Sequence, residues 1–186
     1  AGSGSSGQHD DDDDRDFQDV QAASTSLREH LDQQLALTQL SDRDRALVRF
    51  LVEALEDNGY LEPSLEELYE LLPPELGYEL DDLQIALAHL QSLEPTGVGA
   101  RSPQECLALQ LRVLPESDTR ALALRIVTDH LELLAERNLT RLKRAIECEN
   151  DALRDAHALI CSLDPHPGSA YAAADTRYIV PDVVVR

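Results

Sequence analysis

Aromatic residues are scarce in this sequence. Its 186 residues include no Trp, no Met and only 4% aromatics. β-Sheets draw on aromatic and β-branched side chains, whereas Leu and Ala, which dominate the apolar residues here, favour helices. The hydrophobic fraction of 42% is enough to fill one core or two small ones. The composition predicts an all-α protein.

Cysteine is too sparse for a disulfide framework. The chain has three cysteines, an odd number, and they are widely spaced: Cys106, Cys148 and Cys161. This pattern is typical of proteins in reducing compartments. No charged-then-apolar signal segment opens the chain, and no apolar run approaches the ~20 residues of a membrane helix. We expect a cytoplasmic location and no membrane contact.

Positive charge is also scarce. Lys143 is the only lysine, and 16 basic residues face 36 acidic ones, for a net charge of -20. Such a chain repels naked nucleic acid as a whole, so the composition favours a protein partner. The run from Asp10 to Asp19 supplies seven of the acidic residues against Arg15. It lacks the ligand spacing and glycine turn of a calcium loop, which favours a solvated linker.

Composition and periodicity divide the chain into four regions. A Gly/Ser-rich stretch resembling a tag and the acidic linker make residues 1–23 a predicted disordered segment. Residues 24–115 and 116–168 are predicted to form two small helical subdomains. Residues 169–186 predict an extended tail with edge strands at Tyr178–Val180 and Val183–Val185. Because this tail stops inside a Val run, we expect it to be the start of a truncated region.

Capping signals place the helices of the first subdomain. A leucine stripe predicts a helix from Ser24 or Ser26 to Leu37, and Ser41 begins a longer one ending at Asn58-Gly59. Further helices are predicted from a Ser64 capping box to Leu72 and from Asp81 to just before Pro95.

The rest of the chain has equally clear start signals, for one more helix of the first subdomain and for three of the second. Ser102, Pro103 and Glu105 predict a capping box and a helix to about Leu114. Ser117 is predicted to cap the longest helix, up to Arg137-Asn138. Thr140 and Asn150 are predicted to begin two more helices, over about 141–148 and 151–163.

An internal repeat links the two subdomains. LQSLEPTG, ending at Gly97, resembles ICSLDPHPG, ending at Gly168, and in each case a short helix, a turn and a second helix precede it. This order is compatible with helix-turn-helix units, although such units also serve as plain packing elements.

The charges of the two helix-turn-helix units differ. The first of them lacks basic residues on its second helix, which is evidence against entry into a DNA groove. The second has a basic cluster of Arg137, Arg141, Lys143 and Arg144, interpreted either as a solvated face or as a contact for nucleic acid or an acidic protein.

Two stretches could be considered as chemical sites. Cys148, His157, Cys161 and His166 are spaced too widely for structural zinc, and we predict buried core positions for the cysteines and His157. Gly97-Val98-Gly99 has neither the strand nor the Gly-Lys-Ser/Thr of a phosphate loop. It predicts a tight turn that contacts either the neighbouring subdomain or a partner. We predict no catalytic residue, no metal and no cofactor.

Two longer segments resemble a known family. The first is SDRDRALVRFLVEALEDNGYL, and the second is LEPTGVGARSPQECLALQL; ICSLDPHPGSAY and YIVPDVVV continue the likeness. Together they are similar to the core-binding region of the sigma-54 (RpoN) factors. The resemblance implies a non-enzymatic subunit that binds bacterial core RNA polymerase and supports initiation at promoters that depend on an AAA+ activator ATPase.

The resemblance also limits what this chain does alone. The activator-responsive segment and the promoter-reading helix-turn-helix of the family are not visible in it, so promoter DNA is an expected partner only through absent regions. We expect a monomer that docks on polymerase, and the alternative is a stand-alone helix-turn-helix DNA-binding regulator. The candidate partner-binding residues, from motif positions and the basic cluster, are Arg43, Asp57, Gly97, Gly99, Arg101, Arg141, Lys143 and Arg144.

Overall fold

The computed structural model describes residues 26–171. Helices make up all the regular structure in this range, which contains no β-strand and confirms the all-α prediction. The predicted disordered acidic N-terminus and the extended C-terminal tail lie outside the described residues. The elements are α1 (Leu27–Ala36), α2 (Asp42–Glu53), α3 (Leu65–Leu71), a 3-10 turn (Pro74–Leu76), α4 (Leu80–Gln91), α5 (Pro103–Arg112), α6 (Asp118–Asp129), α7 (Leu131–Ala135), α8 (Leu139–Ile146) and α9 (Asn150–Cys161).

Serine caps begin five of these helices. Each hydroxyl accepts a hydrogen bond from the backbone N–H three residues later, which satisfies a donor that the first helical turn leaves unpaired. A cap of this kind contributes about 1 kcal/mol. The capping serines are Ser26, Ser41, Ser64, Ser102 and Ser117, so the predicted starts are confirmed.

Two predictions about helix starts in the second half were wrong in detail. Glu105 does not close a capping box, because its carboxylate instead accepts hydrogen bonds from Gln91 Nε2 and from Arg101. Asn138, and not Thr140, caps α8 by accepting from the N–H of Arg141 at 3.2 Å.

Helix α2 is shorter than predicted. It ends at Glu53, because tertiary hydrogen bonds take the following residues out of the helix. Arg28 Nη2 donates to the Leu55 carbonyl at 2.6 Å, and the N–H of Leu61 donates to the carbonyl of Ala100 at 2.9 Å. Leu55 and Leu61 thereby enter the core.

The predicted longest helix is broken in two. His130 leaves helical geometry with φ -135° and ψ 20° and separates α6 from α7. Leu131, Leu133 and Leu134 all pack against the same hydrophobic cluster. Because Ala123, Ile126 and Val127 of α6 belong to that cluster as well, the apolar pattern continues through the break and gave no sign of it.

The buried side chains form two hydrophobic clusters. The first comes from α1–α4 and is centred on leucines with no exposed surface, such as Leu31, Leu51 and Leu83. The second comes from α5–α9 and includes Leu111, Ile126 and Leu142. We call residues 26–101 the first unit and 102–171 the second unit. The domain boundary after residue 115 stays a prediction. The packing adds that Leu107, Ala108 and Leu111 of α5 belong to the second cluster.

The repeated Ser-Leu-acid-Pro motif closes both units in the same way. In the first unit the side-chain amide of Gln34 on α1 accepts from the Glu94 N–H at 2.8 Å and donates to the Glu94 carbonyl at 2.5 Å. In the second unit Gln110 on α5 makes the same pair of bonds to the backbone of Asp164, at 2.8 Å and 2.5 Å. We call each pair a glutamine clamp.

Candidate interaction site at the junction of the two units

Three loops from distant parts of the chain meet where the units touch. They are the turn 58–60 after α2, the loop 97–100 after α4 and the segment 165–168 after α9, and we call this meeting place the junction. The N–H of Gly99 donates to the carbonyl of Gly59 at 2.8 Å, and the N–H of Gly168 donates to the carbonyl of Asn58 at 2.9 Å. These bonds join both units to one turn.

The junction is too tight for side chains at two of its glycines. A Cβ placed on Gly168 would lie 2.5 Å from the backbone oxygen of Asp57, which cannot move aside without shifting the turn. At Gly97, φ is +102° and a Cβ would lie 3.0 Å from Cys106 Sγ. Glycine is therefore required at Gly168 by the close approach of two backbones and at Gly97 by a left-handed conformation.

A small polar centre lies under these loops. Tyr60 Oη donates to the carbonyl of Pro165 at 2.5 Å, and the thiol of Cys106 lies 3.7 Å from the carbonyl oxygen of Asp164. Burial, with a smaller effect of the neighbouring Cys106, raises the pKa of Tyr60 to about 12. Burial likewise raises the pKa of Cys106. Both groups therefore stay protonated at neutral pH and act as weak donors within the fold.

The polar centre is not arranged for nucleophilic chemistry. Cys106 has no exposed surface, and a buried thiol with a raised pKa supplies little thiolate to attack a substrate. The aromatic ring of Tyr60 lies 5.8 Å from that of His166, as expected of packing between the units. Within residues 26–171, His, Cys, Asp and Glu side chains form no group that could hold a metal ion.

The predicted burial of the other cysteines was wrong. Cys161 is exposed, and Cys148 and His157 are only partly buried. Periodicity along a helix gave no means of distinguishing them from Cys106, which is the fully buried cysteine. Cys106 is buried because α5 presses it against the 164–165 segment from the far end of the second unit.

Three of the predicted partner-binding residues lie at the junction. Gly97 and Gly99 are buried there, so they contact the molecule itself. Asp57 is exposed, and its backbone oxygen faces Gly168. Arg101 is exposed beside the junction and pairs with Glu105 at 3.1 Å. A contact of any of these four residues with a partner stays a prediction.

The other predicted residues lie elsewhere. Arg43 donates to the carbonyls of Leu76 and Gly77 at 2.8 Å and 3.0 Å and stacks on Tyr78 at 4.2 Å, which ties the 3-10 turn to α2. Arg141 and Arg144 are exposed and Lys143 is partly buried on α8. The structure thus brings the glycine motif positions together and leaves the basic cluster separate.

Two residues of the junction were missed by the sequence analysis. Gln110 is the only polar side chain among the buried ones of residues 26–171, at 8% exposure, and Gly168 makes the closest backbone approach. The repeat carried a signal for both: Gly168 matches Gly97, and Leu-x-x-Gln-Leu occurs on α1 as well as on α5.

None of the helices in residues 26–171 is long and apolar enough to cross a membrane.

The sequence of this chain is similar to those of a known protein family. The model of the sigma-54 factor core binding domain matches residues 16–186. The RNA polymerase sigma-54 factor of Pseudomonas aeruginosa (strain UCBPP-PA14) is 44% identical over 178 residues, which cover 95% of this chain and 36% of that protein. The factor of Azotobacter vinelandii is 43% identical over 178 residues, covering 95% and 35%. The factor of Escherichia coli (strain K12) is 35% identical over 162 residues, covering 87% and 34%. The chain therefore spans about a third of the length of these relatives. It belongs to the family of sigma-54 factor core binding domains.

Proposed function

We propose that this chain docks on bacterial core RNA polymerase as the core-binding part of a sigma-54 factor, without catalysing a reaction itself. The observation that carries the proposal is the junction. Its glycines and Tyr60 belong to the segments that resemble the family, and they hold the two units together. A tight junction between two units presents two surfaces in one orientation.

A fixed orientation matters for docking on a large partner. When two surfaces are rigidly connected, the second binds in an effectively intramolecular step once the first is bound. Pre-organisation also lowers the entropy lost on binding. Loosening the junction would therefore weaken the complex even though no contact residue had changed.

Charge determines how the approach proceeds. The first unit carries sixteen carboxylates against five arginines, and the second carries eleven against eight basic side chains. We propose that the acidic first unit steers the chain toward basic patches of polymerase, while apolar contacts set the residence time. Arg43, Asp57 and Arg101 remain candidates for the contact surface.

The longer protein is proposed to work as the family resemblance implies. Other parts of it would contact promoter DNA and the AAA+ activator ATPase, in the bacterial cytoplasm. The present chain would contribute polymerase docking as a monomer.

Fluorescence anisotropy tests the proposal directly. The chain, labelled at its N-terminal amine, is titrated with core RNA polymerase, and promoter-sized duplex DNA is titrated in parallel at the same salt. Saturable binding to polymerase and none to DNA is expected, with an association rate that falls as salt rises. Binding to DNA without binding to polymerase would establish the helix-turn-helix regulator instead.

A junction variant separates docking from simple charge attraction. Gly168→Ala should weaken polymerase binding about tenfold, or about 1.4 kcal/mol, because it loosens the orientation of the units and leaves every exposed charge in place. Ser169→Ala, one residue away and exposed, is the matched control and should bind normally. Equal affinities of the two variants would rule out the role of the junction.

A further inference from the structure

Helix α8 is basic in an acidic protein. It carries Arg141, Lys143 and Arg144 and no carboxylate, and Arg137 lies just before it. The ion pairs found within residues 26–171 are Arg45–Asp42 and Arg101–Glu105. Within this range the cations of α8 therefore form no direct ion pair.

An open groove lies beside these cations. It runs between α8 and α9, has a volume of about 440 Å³ and is lined by Leu139, Thr140, Lys143, Asn150, Leu153 and Arg154. Leu139 is 41% exposed, which gives the groove apolar surface, and one cation stands on each of its walls. A ligand that fits this chemistry combines negative charge with an apolar side chain.

The residues on either side of α8 have strained backbone conformations. Arg137 and Glu147, which bracket the helix, have positive φ angles of 59° and 57°. A left-handed conformation costs a residue with a side chain about 1–2 kcal/mol. Such strain persists where the surroundings enforce it and is concentrated at functional sites. Buried Leu142 and Ile146 hold the other face of the helix against the core.

We propose that the groove binds the acidic run of this same chain, residues 10–20. This segment has the composition that the groove requires: seven aspartates against Arg15, together with the apolar side chains of Phe17 and Val20. Its carboxylates pair with Lys143 and Arg154, and its apolar side chains contact Leu139. The bound segment masks the cationic surface of the second unit from other polyanions.

Connectivity allows this contact. Ser26 lines a small cavity with Asp57 and Tyr171, so the N-terminal segment leaves the described structure at the junction. Helix α9 leads from the junction back to the groove over about 18 Å, at 1.5 Å per residue. The twelve residues from Asp14 to Ser26 can extend over about 40 Å. A tether of this length gives an effective concentration in the millimolar range.

A nucleic acid suits the groove less well than this segment does. Glu136, Glu147 and Glu149 lie near the two ends of α8, and the whole chain carries a charge of -20. A long polyanion would meet these carboxylates, whereas a short tethered segment fits between them.

Amide NMR of the full chain tests the proposal. Replacing Asp10 to Asp14 by asparagine should shift the amide signals of residues 139–144 and 150–154, and raising the salt of the unchanged protein should shift them in the same direction. The matched control neutralises five exposed carboxylates of the first unit, Glu53, Glu62, Glu66, Glu70 and Glu75, as glutamine and should leave the groove signals unchanged.

A reciprocal experiment completes the test. Lys143→Glu with Arg154→Glu should shift the signals of residues 10–20, whereas Arg49→Glu with Arg125→Glu, an equal charge change at exposed positions, should not. The proposal is overturned if the groove signals do not shift on the asparagine substitutions, or if they shift equally in the glutamine control. Groove signals that ignore the substitutions but shift with added duplex DNA assign the groove to nucleic acid. Neither result depends on polymerase binding.

Discussion

The two units end in the same motif but bury it differently. In the first unit the clamp of Gln34 on Glu94 lies near the surface, and Gln34 is half-buried. In the second, the clamp of Gln110 on Asp164 lies under the junction, where Gln110 is 8% exposed. The same glutamine clamp thus closes the helical bundle of the first unit, whereas in the second unit it also supports the contact between the two bundles.

The glycine that ends the repeated motif also has a different role in each unit. Gly97 in the first unit has a left-handed backbone, whereas Gly168 in the second is needed because another backbone lies against it. Serine at the helix end is the conserved part of the device: Ser92 and Ser162 each donate to the carbonyl three residues earlier at 2.6 Å. A repeated motif can thus keep its local hydrogen bonds while its tertiary environment changes.

The largest expected effect comes from breaking the contact at Gly168. Gly168→Ala places a Cβ 2.5 Å from the Asp57 oxygen, and we expect a loss of about 3 kcal/mol in the free energy of unfolding. Gly97→Ala should cost about 1–2 kcal/mol from its left-handed φ, because its nearest neighbour is the movable Cys106 side chain. Chemical denaturation measures both values. A smaller loss for Gly168→Ala than for Gly97→Ala would contradict the assignment.

The two clamps should differ in strength. Gln110→Ala leaves the N–H and carbonyl of Asp164 without their partners in a partly buried place, and we expect a cost of about 2 kcal/mol. Gln34→Ala should cost about 1 kcal/mol, because water can replace its bonds to Glu94. Gln84→Ala, exposed on α4, is the control and should be neutral.

Residue-resolved hydrogen exchange can assign each clamp to its unit. Gln34→Ala should raise exchange only in the first unit, and Gln110→Ala in both units, because the second clamp supports the junction. If Gln110→Ala raises hydrogen exchange in the second unit alone, the two units are not coupled through the second clamp.

A similarly small effect at neutral pH is expected for Tyr60, which lies outside the repeated motif. Its pKa of about 12 in the folded protein exceeds the ordinary value of 10.0, so its contribution to stability is complete below pH 10 and is lost as pH rises toward 12. Tyr60→Phe should cost about 1 kcal/mol at neutral pH and lose less stability than the unchanged protein between those pH values. Denaturation at a series of pH values measures this difference, with Tyr69→Phe, on the surface, as control. Parallel losses in Tyr60→Phe and the unchanged protein would remove Tyr60 as the cause.

Much of the fold could be predicted because its signals are local. Ser26, Ser41, Ser64, Ser102 and Ser117 bond to N–H groups three residues away, so each helix start is encoded within one turn. The early end of α2 and the break at His130 could not be predicted in this way. Both involve contacts with residues far away in the chain, such as Arg28 for Leu55 and the second cluster for the leucines of α7.

Sequence alone determined the helical class, most helix starts, the repeat and the family resemblance, since these depend on composition and on spacing over a few residues. The tertiary structure decided that the glycine motifs face each other, that Cys106 and not Cys161 is buried, and that a basic groove lies apart from the junction. Gly168 meets Gly59 across more than a hundred residues. Such a contact depends on how whole helices pack, and no local pattern of side chains specifies it.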